Sequence, residues 1–183
     1  YMTRQVSRWT TQYKATQTDE LPAMDTLIDW LPKNIPDDLE TTIAHGDFRM
    51  ENLIYHPTEP RVIAVVDWEL GTLGNPLSDL AYNCLPYHMP DPNRGDIIDI
   101  DFATYGIPSE ADYVAAYCRR TGRDGIDNWP FYLVLSLFRM AAIIQGVYYR
   151  GLQGNAPSPE AVTNSELAGL WSEKAVAILE RSS

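Results

Sequence analysis

The chain has 183 residues, 45% of them apolar and 21% charged, the balance of a folded globular protein long enough to build a core. Its 25 acidic residues outnumber 14 basic ones, leaving a formal charge of −11 at pH 7. That charge argues against nucleic acid or an anionic membrane as partner, since both require a basic face.

Taken in chain order, Tyr1-Met2-Thr3-Arg4 lacks the apolar core of a signal peptide. Residues 3–16 set Val6, Trp9 and Tyr13 at helical spacing, with Arg4, Arg8, Gln12 and Lys14 elsewhere on the wheel, which predicts an amphipathic helix. Leu21-Pro22 opens a second helix, with Met24, Leu27, Ile28 and Leu31 as its apolar stripe and Pro32 as its end. Pro36-Asp37-Asp38 is a connector, and Thr42-Ile43-Ala44-His45 reads as a strand. It leads into His45-Gly46-Asp47-Phe48-Arg49-Met50-Glu51-Asn52.

Leu53-Ile54-Tyr55 and Val62-Ile63-Ala64-Val65-Val66 are short apolar runs separated by turn formers from His56 to Arg61, the pattern of a β-hairpin. Pairing Asn52 with Asp67 gives a register symmetric about Glu59-Pro60. Directly opposed residues have Cβ atoms about 4.5–5.5 Å apart, so an amide oxygen and a carboxylate are expected to converge. Mg²⁺ takes hard oxygen ligands of this kind and completes its shell with water and substrate phosphates. Asp47, in the loop just before, is placed to accept a proton from an attacking hydroxyl. These features together suggest phosphoryl transfer.

Beyond Gly71-Thr72-Leu73-Gly74, Asn75-Pro76 should cap a helix reaching Leu85 and stopped by Pro86, with Asp79 in its first turn, where a carboxylate suits the helix dipole. Residues 86–108, with Pro86, Pro90, Pro92 and Pro108, form a long irregular connection that either lines an acceptor site or is a surface excursion. Ser109-Glu110-Ala111-Asp112 caps a helix to Arg120 closed by Gly122. The Arg119, Arg120 and Arg123 cluster fits a solvated helix end better than a polyanion pocket. Cys84 and Cys118 lie far apart in apolar helical contexts, which predicts free thiols in a reducing, cytoplasmic compartment.

Trp129-Pro130 starts a long apolar helix to Tyr149. Arg139 near its centre would cost about 2.5–3.5 kcal/mol in a bilayer, so a buried helix is expected and no membrane partner. Gly151 to Pro157 is a loop, and Ser158-Pro159 caps a final helix with Leu167, Leu170, Trp171 and Ile178 on one face.

The motif H-x-D-x-x-x-x-N, followed by an Asp at the end of the next strand, resembles the catalytic and metal-binding loops of protein-kinase-like phosphotransferases. With H-G-D-F, D-W-E and G-N-P-L-S-D-L-A, the chain is most similar to the aminoglycoside phosphotransferase and choline kinase branch, and within it to phosphotransferase domains associated with acyl-CoA dehydrogenases. The resemblance extends over nearly the whole chain, including Arg4-Gln5-Val6-Ser7-Arg8-Trp9 and Ile28-Asp29-Trp30-Leu31-Pro32. It implies an α+β fold in which residues 1–183 form one mainly helical C-terminal lobe with a small catalytic hairpin. The strand-rich N-terminal lobe is expected to be absent, because the chain reads as helical before residue 42.

By the same resemblance, Asp47 is the catalytic base, Asn52 and Asp67 bind Mg²⁺ and nucleotide, and Arg49 stands where protein kinases direct a Lys at the transferred phosphate. His45 braces the loop, Asp79 holds it by hydrogen bonds to backbone, and Glu69 replaces the Gly of D-F-G with a role left open. The implied cofactors are Mg²⁺ and ATP or GTP. Few residues separate Asp67 from the next helix, which favours a small-molecule hydroxyl acceptor over a protein, and hydroxyacyl-CoA is one candidate. The lobe alone is expected to be inactive without its missing N-terminal partner. Two other classes compete: a nucleotide-binding pseudokinase scaffold, which would typically lack one of Asp47, Asn52 or Asp67, and a metal-dependent hydrolase, for which three histidines without clustered spacing are poor material.

Overall fold

The computed structural model describes residues 1–37, 40–89, 97–98, 100–155, 162 and 165–182. In chain order its elements are α1 (Met2–Thr16), α2 (Pro22–Trp30), β1 (Thr42–Ala44), β2 (Leu53–Tyr55), β3 (Val62–Val65), β4 (Thr72–Gly74), α3 (Leu77–Asn83), α4 (Phe102–Tyr105), α5 (Glu110–Thr121), α6 (Trp129–Leu152) and α7 (Ser165–Ser182). The class is α+β and mainly helical, as expected. The chain divides into two compact units, Tyr1–Asp37 with Pro130–Ser183, and Asp38–Trp129.

The first unit is helical. α1 buries Met2, Val6, Trp9 and Tyr13, the stripe that its spacing predicts. α2 buries Met24 and Leu27 and packs against α7, which buries Ala168, Trp171, Ala175, Ile178 and Leu179. Each fully buried Leu or Met contributes about 1.5–3 kcal/mol relative to exposure. α2 stops at Trp30, ahead of Pro32 as expected, and the proline then sits inside a 3-10 turn, Leu31–Lys33, in which a missing N–H near the start is tolerated.

α6 runs three residues past Tyr149, so Gly151 and Leu152 are helical rather than loop. By length and apolarity α6 could cross a membrane, but 67% of its most apolar window is buried within the protein. Arg139, the charge in its middle, lies over the Trp9 ring at 5.2 Å, a cation–π contact that gives the guanidinium a partner beside apolar neighbours. Buried Gln145 donates through Nε2 to the Thr16 carbonyl and the Thr18 hydroxyl, both at 2.9 Å.

The second unit holds two small antiparallel sheets. β1 pairs with β4 in the register Thr42↔Gly74, Ile43↔Leu73 and Ala44↔Thr72. β4 has no counterpart in the sequence reading, where Gly71–Gly74 is only a connector. β2 and β3 form the expected hairpin, but its register is Leu53↔Val65, Ile54↔Ala64 and Tyr55↔Val62, with an irregularity between Ile54 and Tyr55. The expected pairing of Asn52 with Asp67 is therefore off by one. A bulge absorbs the extra residue on β3, which no symmetric register can contain.

Asn75 Oδ1 accepts from the Leu77 N–H at 2.9 Å at the start of α3, so Asn75 caps as predicted although regular helix begins after Pro76. Pro86 again lies inside a 3-10 turn, Leu85–Tyr87. α5 is capped by Ser109, whose hydroxyl accepts from the Asp112 N–H, and closed by Gly122 in the left-handed region. Arg123 pairs with Glu40 and lies over the Tyr117 ring at 5.8 Å, whereas Arg119 and Arg120 are exposed at the helix end. Asp38, residues 90–96 and 99 of the long connection, Ala156-Pro157 and the Ser158-Pro159 cap lie outside the described residues.

Candidate active site

β1 delivers His45, which is buried at 2% exposure, into a loop whose backbone is held at nearly every step. The His45 and Gly46 N–H groups donate to the two oxygens of Asp79 at 2.6 and 2.9 Å. Asp79 stands in the first turn of α3, where the dipole favours its charge. His45 Nδ1 accepts from the Asp47 N–H at 3.2 Å, so the ring proton belongs on Nε2, which donates to the Val66 carbonyl at 2.9 Å. The ring also lies 4.6 Å from that of Trp68. One imidazole thus joins the loop carrying Asp47 to the segment carrying Asp67.

Gly46 tightens the same junction. Its φ is +82°, and a Cβ built there would stand 2.7 Å from the Leu70 carbonyl oxygen. Gly46→Ala must strain the backbone and displace the 68–70 turn, so we expect a loss of about 1–3 kcal/mol and a lower Tm by calorimetry; an unchanged Tm would show the turn to be free to move.

Asn52, 7% exposed, donates from Nδ2 to the Asp47 carbonyl at 2.8 Å and to Asp47 Oδ2 at 3.0 Å. Both amide hydrogens are committed to Asp47, which leaves Asn52 Oδ1 as an available hard acceptor. The Val66 N–H bonds the Asn52 carbonyl at 2.9 Å, so Val66 lies opposite Asn52. Asp67 follows one residue later with φ 67° and ψ 51°, a left-handed turn that costs a non-glycine residue roughly 1–2 kcal/mol. Its carboxylate is exposed and has no partner among the described residues.

Arg49 Nε stands 3.6 Å from Asp47 Oδ2 and 3.8 Å from Glu51 Oε2, buried but without a hydrogen bond of its own. Glu69, in the 3-10 turn Trp68–Leu70, is exposed and bonds none of the other site residues. The structure thus brings together Asp47, Asn52, Arg49, His45 and Asp79, sets Asp67 beside the residue facing Asn52, and leaves Glu69 apart.

Among the described residues no three His, Cys, Asp or Glu side chains form a metal cage. The Asn52 amide oxygen and the Asp67 carboxylate, one residue beyond Val66 that faces Asn52, are hard donors of the kind taken by a cation that draws the rest of its shell from water and phosphates, as Mg²⁺ does. Cys84 offers no nucleophile near neutral pH, since burial and the nearby Glu110 push its thiol up to about 12. Sequence reasoning missed Asn83 and Tyr113. Asn83 Nδ2 faces the Phe48 carbonyl at 3.4 Å, and Tyr113 donates to Asn83 Oδ1 at 2.7 Å.

Residues 1–131 match the sequence profile of the phosphotransferase enzyme family. The chain is 48% identical over 177 residues to acyl-CoA dehydrogenase family member 10 of Mus musculus, covering 96% of this chain and 17% of that protein. It is 44% identical over 188 residues to acyl-CoA dehydrogenase family member 11 of Homo sapiens, covering 100% of this chain and 24% of that protein. The chain therefore spans about a quarter or less of the length of these relatives. The crystal structure of a Ralstonia eutropha protein assigned as an aminoglycoside phosphotransferase superposes with a TM-score of 0.92 at 46% identity, covering 99% of this chain and 56% of that one.

Proposed function

The chain belongs to the phosphotransferase enzyme family, and from that premise we propose that it is the catalytic lobe of a kinase that moves the terminal phosphoryl group of Mg·ATP to a hydroxyl of a small molecule. The observation that carries the reading is the Asp47–Asn52 pair, in which one amide spends both hydrogens on the candidate base and keeps its oxygen free. Asp47 accepts the acceptor's hydroxyl proton as its oxygen attacks the phosphorus. Asn52 Oδ1 and the Asp67 carboxylate would hold Mg²⁺, which when bound would neutralise charge on the nucleotide phosphates. Arg49 swings from its two carboxylate neighbours toward the transferred group, and ADP leaves. Asp79 and His45 keep the loop in place without touching the reactants.

The phosphate-covering part of the site comes, in this reading, from an N-terminal lobe elsewhere in the whole protein. The surface of the hairpin supports this: Ile54 is 46% exposed, Tyr55 48%, Val62 43% and Ile63 49%. Adjacent strand residues face opposite ways, so both faces are apolar and open, and a two-stranded hairpin has little stability by itself.

The short passage from Asp67 to α3, only a 3-10 turn and β4 long, leaves little room for a peptide-binding segment and favours a small acceptor. The names of the relatives make hydroxyacyl-CoA the first acceptor to try. The test is ATP or GTP consumption by the full-length protein with Mg²⁺ and a panel of hydroxylated metabolites. Acceptor-dependent ADP formation is expected, with little turnover by the 183-residue chain alone. Nucleotide binding without transfer to any acceptor would favour a scaffold, and phosphate release without an acceptor would favour a hydrolase.

A further inference from the structure

The catalytic loop is held from one side by α3, and the helix does this at two points one turn apart. Asp79 takes the N–H groups of His45 and Gly46, ahead of the candidate base. Asn83, four residues on and therefore on the same helix face, offers its Nδ2 to the carbonyl of Phe48, just after the base. At 3.4 Å this second contact is long for a hydrogen bond, and an Asn amide alone could turn either end toward Phe48.

Tyr113 on α5 removes that freedom. Its hydroxyl stands 2.7 Å from Asn83 Oδ1 and donates to it, which turns the amide NH₂ toward Phe48. The reversed amide would set two carbonyl oxygens against each other. Burial, foremost, raises the pKa of Tyr113, so the hydroxyl keeps the proton it donates.

We propose that Asn83 and Tyr113 are positioning residues for phosphoryl transfer: Tyr113 orients the Asn83 amide, which fixes the Phe48 carbonyl and with it the direction of Asp47. The proposal rests on the kinase reading above and adds to it two residues that touch neither nucleotide nor metal. Through them α5 is mechanically linked to the base.

The experiment uses the full-length protein with Tyr113→Phe and Asn83→Asp. Tyr113→Phe keeps the ring and removes the orienting proton; kcat should fall about 3–10-fold, the worth of one neutral hydrogen bond, with nucleotide Kd unchanged. Asn83→Asp sets an ionised carboxylate against the Phe48 carbonyl at neutral pH, and kcat should fall further. When protonated, the introduced carboxyl can again accept from Tyr113 and donate to Phe48, so the ratio of variant to parental kcat should rise as pH is lowered. A purely structural role for Asn83 would give a ratio flat with pH, and that result would overturn the proposal.

Amide hydrogen exchange of residues 46–49 supplies an arm independent of activity. Faster exchange there in Tyr113→Phe, with the rest of the protein unchanged, is expected. Parental exchange rates in that loop would overturn the positioning role even if kcat had fallen. Should the parent transfer phosphate to no acceptor, the kinase reading fails by itself, and loop exchange still decides whether these residues hold the loop.

Discussion

Asp47→Asn in the full-length protein should lower kcat by about 10²–10⁴-fold, the usual worth of general-base catalysis, while nucleotide Kd stays near the parental value. The substitution preserves size, and the new amide oxygen can still accept from Asn52 Nδ2, now 3.0 Å from Asp47 Oδ2. What disappears is the site that takes the acceptor's proton, a demand made only in the transition state. The Arg49 guanidinium loses one of its two carboxylate neighbours but keeps Glu51. Stopped-flow or steady-state kcat, read beside calorimetric Kd, separates the two effects. A variant with parental kcat would remove Asp47 from the chemistry.

The second large effect belongs to Asp67. Asp67→Ala should abolish Mg²⁺-dependent nucleotide binding and leave a cooperative fold, because the exposed carboxylate has no partner to lose among the described residues. Alanine keeps the burden of the left-handed backbone at φ 67°, and glycine does not. Asp67→Gly should therefore bind Mg·ATP as poorly as Asp67→Ala yet melt no lower than the parent. Titration calorimetry showing parental Mg·ATP affinity in either variant would sink the ligand assignment.

The parts of this site that were legible in sequence are those with strong local signals. Helical spacing marks α1 and α2, capping residues mark α5, an apolar run marks α6, and the H-x-D-x-x-x-x-N run points to Asp47 and Asn52. The hairpin was readable because β-branched runs flank turn formers, but its register was not. A one-residue bulge leaves no mark in composition, and the left-handed turn at Asp67 falls on a residue type that gives only weak notice of it.

β4 escaped because Thr72-Leu73-Gly74 is too short to show alternation and is defined only by its partner β1. Pro32 and Pro86 do mark where α2 and α3 stop, at Trp30 and Asn83, but the 3-10 turns that carry the chain on past them leave no signal of their own in the sequence. Asn83 was invisible for a different reason. A polar residue on an amphipathic helix looks like solvent-facing surface until the fold supplies Phe48 on one side and Tyr113 on the other.

Both sheets among the described residues have only two strands, so each of their four strands leaves one edge of N–H and C=O groups unmatched. With Ile43 69% and Leu73 65% exposed on a cross-strand pair, the chain carries the ingredients of edge-to-edge association. What opposes it is the repulsion among copies that each carry a charge of −11 at pH 7. That protection vanishes near the isoelectric point of about 4.6, and screening by salt weakens it at any pH. The colloidal behaviour of the separate lobe is thus set by acidity and ionic strength more than by its melting temperature, and a dilute, low-salt, neutral solution is where single copies should persist longest.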